Sequence, residues 1–217
     1  MSRDEHLRLL ASRLGPGVDL HELQRLSVPD TTAARRAEEI CRGASSESLA
    51  NHCFRSYAWG GLLGLRDGVA WDAELLYVAS MLHDLGLTAT YDRGGCFEQD
   101  GADAAREILA GVGWDAARAE TVAEAVYLHM HETTEEDTPE ARLLDAGTAA
   151  DVRGVRVDEL TGTAKEQVLE RFPRLGFKEH FVALLEDQAQ RKPACIVHRY
   201  LHERRAAAQI RAAPFES

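Results

Sequence analysis

The sequence lacks any CxxC pair or cysteine cluster. Its four cysteines, Cys41, Cys53, Cys96 and Cys195, are scattered. A thiolate-built zinc site is therefore not expected, and reduced thiols in a cytoplasmic protein are the simplest reading. Basic residues are in deficit, with 25 Lys+Arg against 36 Asp+Glu and a formal net charge of −11. Such a surface repels phosphates, which argues against a general nucleic-acid or anionic-membrane binder. No apolar run approaches the roughly 20 residues that span a bilayer. The first ten residues are charged, without the apolar core of a secretion signal. No persuasive strand pattern and no internal repeat is visible.

What remains is helical patterning. At 217 residues the chain is long enough for one domain with a sizeable core. Leu7, Leu10 and Leu14 have helical spacing, and Gly15-Pro16-Gly17 breaks that first segment. Thr31, Ser46, Asp72, Asp115 and Thr138, the last followed by Pro139, mark helix starts near 32, 47, 73, 116 and 139. Further helices are expected over about 97–110, 161–171 and 178–191, with a last one after Pro193. The small residues Ala146, Gly147, Ala149 and Ala150 would let another helix approach closely. These elements predict an all-α fold, a compact bundle of about eight to ten helices in one domain, 1–217.

The stretch Leu75–Leu87 organises the chain. Apolar residues fall at almost every position, so this helix should be buried all round and end near Gly86. Its last turn carries His83 and Asp84. A lone buried carboxylate is strongly disfavoured unless a partner or a metal compensates it. Helical projection turns three more candidate ligands toward apolar faces: His52 with Leu49, Cys53 and Leu63; His129 with Val122, Ala125 and Val126; and Asp151 with Leu144, Gly147 and Ala150. His131 and Asp145 project to the opposite sides and read as solvated-face residues. Imidazoles and carboxylates together suit one divalent ion; zinc is the preference, with Fe2+ or Mn2+ as alternatives.

The order His52, His83-Asp84, His129, Asp151 resembles the HD-domain superfamily of metal-dependent hydrolases. The likeness spans about residues 47–155 as an HD core, with 1–45 as an N-terminal helical arm and 156–217 as C-terminal helices packing on the core. It implies an HD-domain helical bundle in which His52, His83, Asp84 and Asp151 bind one metal, with His129 an outer ligand or substrate contact. The chain is most similar to the cyanamide hydratase-like group through Asn51-His52, Tyr57, Trp59-Gly60, Leu82–Thr88, Phe97-Glu98, Gly101-Ala102, Leu128-His129 and Gly176-Phe177-Lys178. That group is all-α and zinc-dependent, and its namesake adds water to the nitrile of cyanamide.

The resemblance implies a mononuclear hydratase or hydrolase. Hydroxide generated at the metal would attack a small nitrogen-containing substrate of the cyanamide, nitrile or amide type. The expected catalytic set is Glu98, His129 and Asp84. Glu98 orients substrate or shuttles a proton, or else is a first-turn carboxylate favoured by the helix dipole. Tyr57, Trp59 and Phe97 are candidate pocket walls, and Lys178 is expected at the surface. Phosphohydrolases of the superfamily commonly carry a glutamate where this chain has Leu87. Cationic groups near the motifs are few, Arg55 and Arg93. Both points favour the hydratase over a phosphohydrolase of nucleotides or phosphomonoesters. The absence of histidine from Leu85 to Leu128 favours one metal over two. A non-catalytic HD-like scaffold is the remaining alternative. The expected partner is a small-molecule substrate, with no nucleic acid and no membrane. The apolar C-terminal helices around Phe181, Leu184 and Leu185 suggest a homo-oligomer.

Overall fold

The computed structural model describes Leu26 and residues 28–216. The segment expected to be helical over 1–14 lies outside the described residues. Among these are ten α-helices and no strand: α1 (Thr32–Ala44), α2 (Glu47–Asp67), α3 (Ala73–Leu82), α4 (Phe97–Gly111), α5 (Ala116–Leu128), α6 (Pro139–Arg153), α7 (Gly162–Arg171), α8 (Phe177–Arg191), α9 (Ile196–His202) and α10 (Ala206–Ala212). Short 3-10 turns occupy Leu85–Leu87 and Val157–Glu159.

The helix starts follow local chemistry. The side chains of Thr31, Ser46, Asp72, Asp115, Thr138 and Thr161 each accept a hydrogen bond from a backbone N–H of the first turn they precede. Those N–H groups have no partner within the helix, so a capping oxygen satisfies them.

Helix α3 sits at the centre. Leu76, Tyr77, Val78, Ala79, Met81 and Leu82 are all fully buried. Truncating such a side chain, Leu82→Ala for instance, costs about 2–5 kcal/mol. α3 packs against α1, α2, α5 and α6, and α2 lies along α6. The α2–α6 approach depends on glycine at the crossing. A Cβ on Gly60 would sit 2.4 Å from the Leu143 carbonyl oxygen, and one on Gly147 would sit 2.1 Å from that of Ser56. The C-terminal helices α8, α9 and α10 pack on one another, with α8 also against α2.

Two expectations about local structure need correcting. The central helix ends at Leu82, not Gly86; Asp84 leaves helical geometry at φ −100°, ψ 10°, and the chain tightens into the 3-10 turn. Gly86 serves close approach instead, since a Cβ there would meet the Phe97 carbonyl oxygen at 2.0 Å. The second correction concerns sulfur. Cys96 and Cys195 form a disulfide across 99 residues, with Cα atoms 5.3 Å apart, while Cys41 and Cys53 stay buried and free. Sequence distance hid the pairing, because folding delivers the starts of α4 and α9 to one place.

Candidate metal centre and its cavity

His52 projects from the middle of α2, His83 and Asp84 follow the end of α3, and His129 follows the end of α5. All four are buried. Helix ends suit this task, because side chains there leave the helix cylinder without breaking its hydrogen-bond ladder.

Each imidazole is oriented by an acceptor at Nδ1. His52 Nδ1 donates to Asp151 Oδ2 at 2.8 Å, His83 Nδ1 donates to the Ser80 carbonyl at 2.8 Å, and His129 Nδ1 donates to the Val126 carbonyl. An imidazole that donates through Nδ1 presents a lone pair at Nε2. The Nε2 atoms of His52 and His83 lie 3.2 Å apart. Asp84 Oδ2 lies 3.4 Å from the first and 3.3 Å from the second, and Asp84 Oδ1 lies 3.7 Å from His129 Nε2. Asp84 Oδ2 and His129 Nε2 are buried without a hydrogen-bond partner.

This set of lone pairs fits a divalent cation. Ligand atoms of His52, His83 and Asp84 come within 4.8 Å of one another. Unpaired acceptors facing one another in a buried site are unfavourable unless a cation or proton sits among them. Histidine ligands oriented through the second ring nitrogen are the usual arrangement around such ions.

The electrostatics agree. Burial works against an ionised Asp84, yet His83, His52 and His129 hold its carboxyl well below the usual carboxylate range. Burial and the neighbouring His83 push His129 down to about 3, so its ring is neutral at neutral pH. Burial also lowers His52, outweighing Asp151. Burial opposes charge on His83 too, but the adjacent Asp84 carboxylate prevails and raises it.

Asp151 lies on the inward face of α6, as its helical position predicts. It is fully buried, and five donors converge on it. Oδ1 accepts from Arg55 Nε at 2.7 Å, Arg174 at 2.9 Å and the Trp59 indole at 3.0 Å; Oδ2 accepts from His52 at 2.8 Å and Arg55 at 2.9 Å. Burial disfavours the charge, but Arg55, His52 and Arg174 keep the carboxyl far below its ordinary value. Asp151 thus grips His52 from behind, and the three-residue ligand group does not include it.

Above the cluster opens a cavity of about 490 Å³, with His52, His83, Asp84 and His129 among its lining residues. Three segments contribute most of the rest: Met130, His131 and Glu132 after α5; Asp145, Thr148 and Arg153 on α6; and Arg199 and Tyr200 on α9. His131 and Asp145 line it, contrary to their expected solvated faces. The chain turns after Leu128, so a projection continued through His131 no longer applies. Asp145 accepts from Thr133 Oγ1 at 3.0 Å, and burial raises its carboxyl.

The candidate wall residues Tyr57, Trp59 and Phe97, and the expected catalytic Glu98, are absent from the cavity lining. Glu98 is buried in the first turn of α4 with Oε2 unpartnered, and burial raises its carboxyl. Trp59 serves Asp151, and the Phe97 ring centroid lies 5.6 Å from that of His129. Lys178 is buried rather than exposed, its Nζ donating to the carbonyls of Arg211 at 3.1 Å and Ala213 at 2.7 Å. Arg55 is committed to Asp151, and Arg93 pairs with Glu107 outside the site. The cationic groups that line the cavity are Arg153, Arg199 and Arg204.

Residues 49–147 match the HD domain. The chain is also 28% identical over 171 residues to each of the cyanamide hydratases DDI2 and DDI3 of Saccharomyces cerevisiae, covering 76% of this chain and 76% of each relative. Over that stretch it is similar to HD domains, and over most of its length it is similar to these two cyanamide hydratases.

Proposed function

We propose that this protein is a mononuclear metal-dependent HD-domain hydratase or hydrolase of small nitrogen-containing electrophiles, of the cyanamide, nitrile or amide type. The observation that carries the reading is the convergence of three Nε2 lone pairs and the Asp84 carboxylate at the foot of an open cavity. Similarity to two cyanamide hydratases supplies the substrate class.

In this reading His52, His83 and Asp84 hold the ion through Nε2, Nε2 and Oδ2, and zinc is the preferred metal. A divalent ion in such a site lowers the pKa of a water toward neutrality and polarises the atom to be attacked. The protein supplies the rest. Asp151, Ser80 and Val126 fix three imidazole orientations. Phe177 stacks on His52 with centroids 4.7 Å apart, and Phe181 follows at 5.4 Å, excluding water from one flank. His129, neutral and with a free Nε2, faces the Asp84 carboxylate and is placed to accept or pass a proton.

The protein is read as acting on a small molecule, without nucleic-acid or membrane partners. Among the described residues no helix is long and apolar enough to cross a membrane. A homo-oligomer is part of the same reading, but Phe181 and Leu185 of α8 are buried within the chain and supply no face for it. The phosphohydrolase alternative draws support from Arg153 and Arg199 at the cavity.

The test is metal content per chain in protein purified without chelator, followed by assay of cyanamide for urea. About one metal per chain and urea formation support the reading. Phosphate release from nucleoside monophosphates with inert cyanamide transfers it to the phosphohydrolase. No metal, and none taken up on adding zinc, iron or manganese, ends both.

A further inference from the structure

The cavity offers more than a small neutral nitrile can use. A water occupies about 30 Å³ of liquid volume. A three-heavy-atom substrate therefore fills only a small part of about 490 Å³. The excess space is bounded by guanidinium groups.

Most arginines elsewhere among the described residues are paired with carboxylates, Arg171 and Arg205 excepted. Acids outnumber bases, and exposed arginines are commonly tied to carboxylates: Arg93 to Glu107 at 2.6 Å, Arg106 to Glu120 at 2.7 Å, Arg156 to Asp67 at 2.8 Å. At the cavity rim Arg204 is likewise held by Glu132 at 3.0 Å. Arg153, in the last turn of α6, and Arg199, on α9, line the same cavity. Neither has a carboxylate within 4.0 Å among the described residues. The Nε of Arg153 is buried with no hydrogen-bond partner.

Acids do share the wall, and their positions matter. Asp145 is engaged by Thr133; the Arg153 guanidinium acts on its carboxyl, but burial prevails and raises it. Glu203 lines the cavity one turn beyond Arg199 without pairing to it. A buried donor without an acceptor is unfavourable, and a guanidinium fork matches a carboxylate or phosphate bidentately.

We propose that Arg153 and Arg199 form an anion subsite in the cavity above the ligand cluster. The substrate is then a small nitrogen electrophile that also bears a carboxylate or phosphate group. This rests on the hydratase reading for the reacting end, and on the arginines alone for the anionic end.

The test titrates the metal-loaded full chain by calorimetry with cyanoacetate and with inorganic phosphate, and follows hydration of cyanoacetate against propionitrile. Arg153→Gln and Arg199→Gln are each expected to weaken cyanoacetate binding about tenfold, the scale of a lost charge-assisted hydrogen bond. Turnover of propionitrile and metal content should stay at wild-type levels. Tighter arginine-dependent binding of phosphate than of cyanoacetate would identify a phosphoryl group as the natural anion. Should Arg153→Gln fold poorly, Arg199→Gln, altered at an exposed side chain, decides alone. Equal affinity for both anions in wild type and variant overturns the subsite, as does failure of wild type to bind either. Arginine-dependent anion binding without hydration of any nitrile keeps the subsite and removes the hydratase reading. Hydration with arginine-independent anion affinity does the reverse.

Discussion

The Asp151 carboxylate holds His52 by its Nδ1, at 2.8 Å, and so points His52 Nε2 at His83 and Asp84. Because Asp151 takes four further hydrogen bonds from Arg55, Trp59 and Arg174, it is the node joining His52 to the buried charge network.

That relationship separates a ligand from a positioning residue. His83→Ala removes a ligand atom, and the purified variant should contain no metal and show no turnover. Asp151→Asn should weaken metal affinity by roughly 10–100-fold, as outer partners of histidine ligands do. It also leaves Arg55 and Arg174 without their anion, a destabilisation of about 3–5 kcal/mol for a broken buried pair. Metal titration and thermal melting check both. Complete metal loss in Asp151→Asn with an unchanged melting point would make Asp151 a ligand.

Glu98 should be dispensable for the chemistry. It lies outside the cavity lining, and its carboxyl is buried without a partner for Oε2. Glu98→Gln is expected to keep kcat/KM within about twofold, whereas loss of a proton-transfer group would cost 10²–10⁴-fold. A loss of that size across the pH range would return Glu98 to the site.

The disulfide joins the start of α4 to the start of α9, which carries the cavity residues Arg199 and Tyr200. Closing a loop of 99 residues constrains the unfolded chain, with measured effects of about 0–5 kcal/mol. Cys195→Ser should lower the melting point by several degrees at about 2–4 °C per kcal/mol. Thiol titration of denatured, unreduced protein should find two free thiols, Cys41 and Cys53. Four would show that the bond does not form in solution.

Acid should destabilise the metal-free protein earlier than carboxylates alone would. Burial and His83 hold His129 at about 3 in the fold, against 6.5 when exposed. A depressed folded value means the neutral ring is preferred. Its stabilising contribution is complete above about pH 6.5 and is lost as pH falls toward about 3. His52 is shifted the same way, whereas His83 is shifted oppositely and offsets part of the effect. His129→Gln carries no titrating ring, so denaturant melts of this variant should show a shallower loss over that range. Identical pH slopes in wild type and variant would contradict the buried neutral ring.

Much of the scaffold is readable along the chain because it is local. Capping by Ser46, Asp72 and Thr138 needs only the next three residues. The all-round burial of Leu76–Leu82 follows from composition, and Gly147 at the α2–α6 crossing belongs to the small-residue run read there, whereas Gly60 does not. The inward faces of His52 and His129, and the adjacency of His83 and Asp84, are also consequences of helical periodicity.

Periodicity names a face but not what stands opposite it. Asp151 does face inward, yet its neighbours Arg55, Trp59 and Arg174 come from 96 to 23 residues away, and they fix it behind His52. The same limit hid the pairing of Cys96 with Cys195, the buried ammonium of Lys178, and the arginine wall brought by α9. Side-chain period and capping act within a few residues, so an all-α chain with imidazoles and a carboxylate turned inward is legible along it. Which of those groups share a cluster, and which residues roof the cavity, is set by helix packing between distant segments.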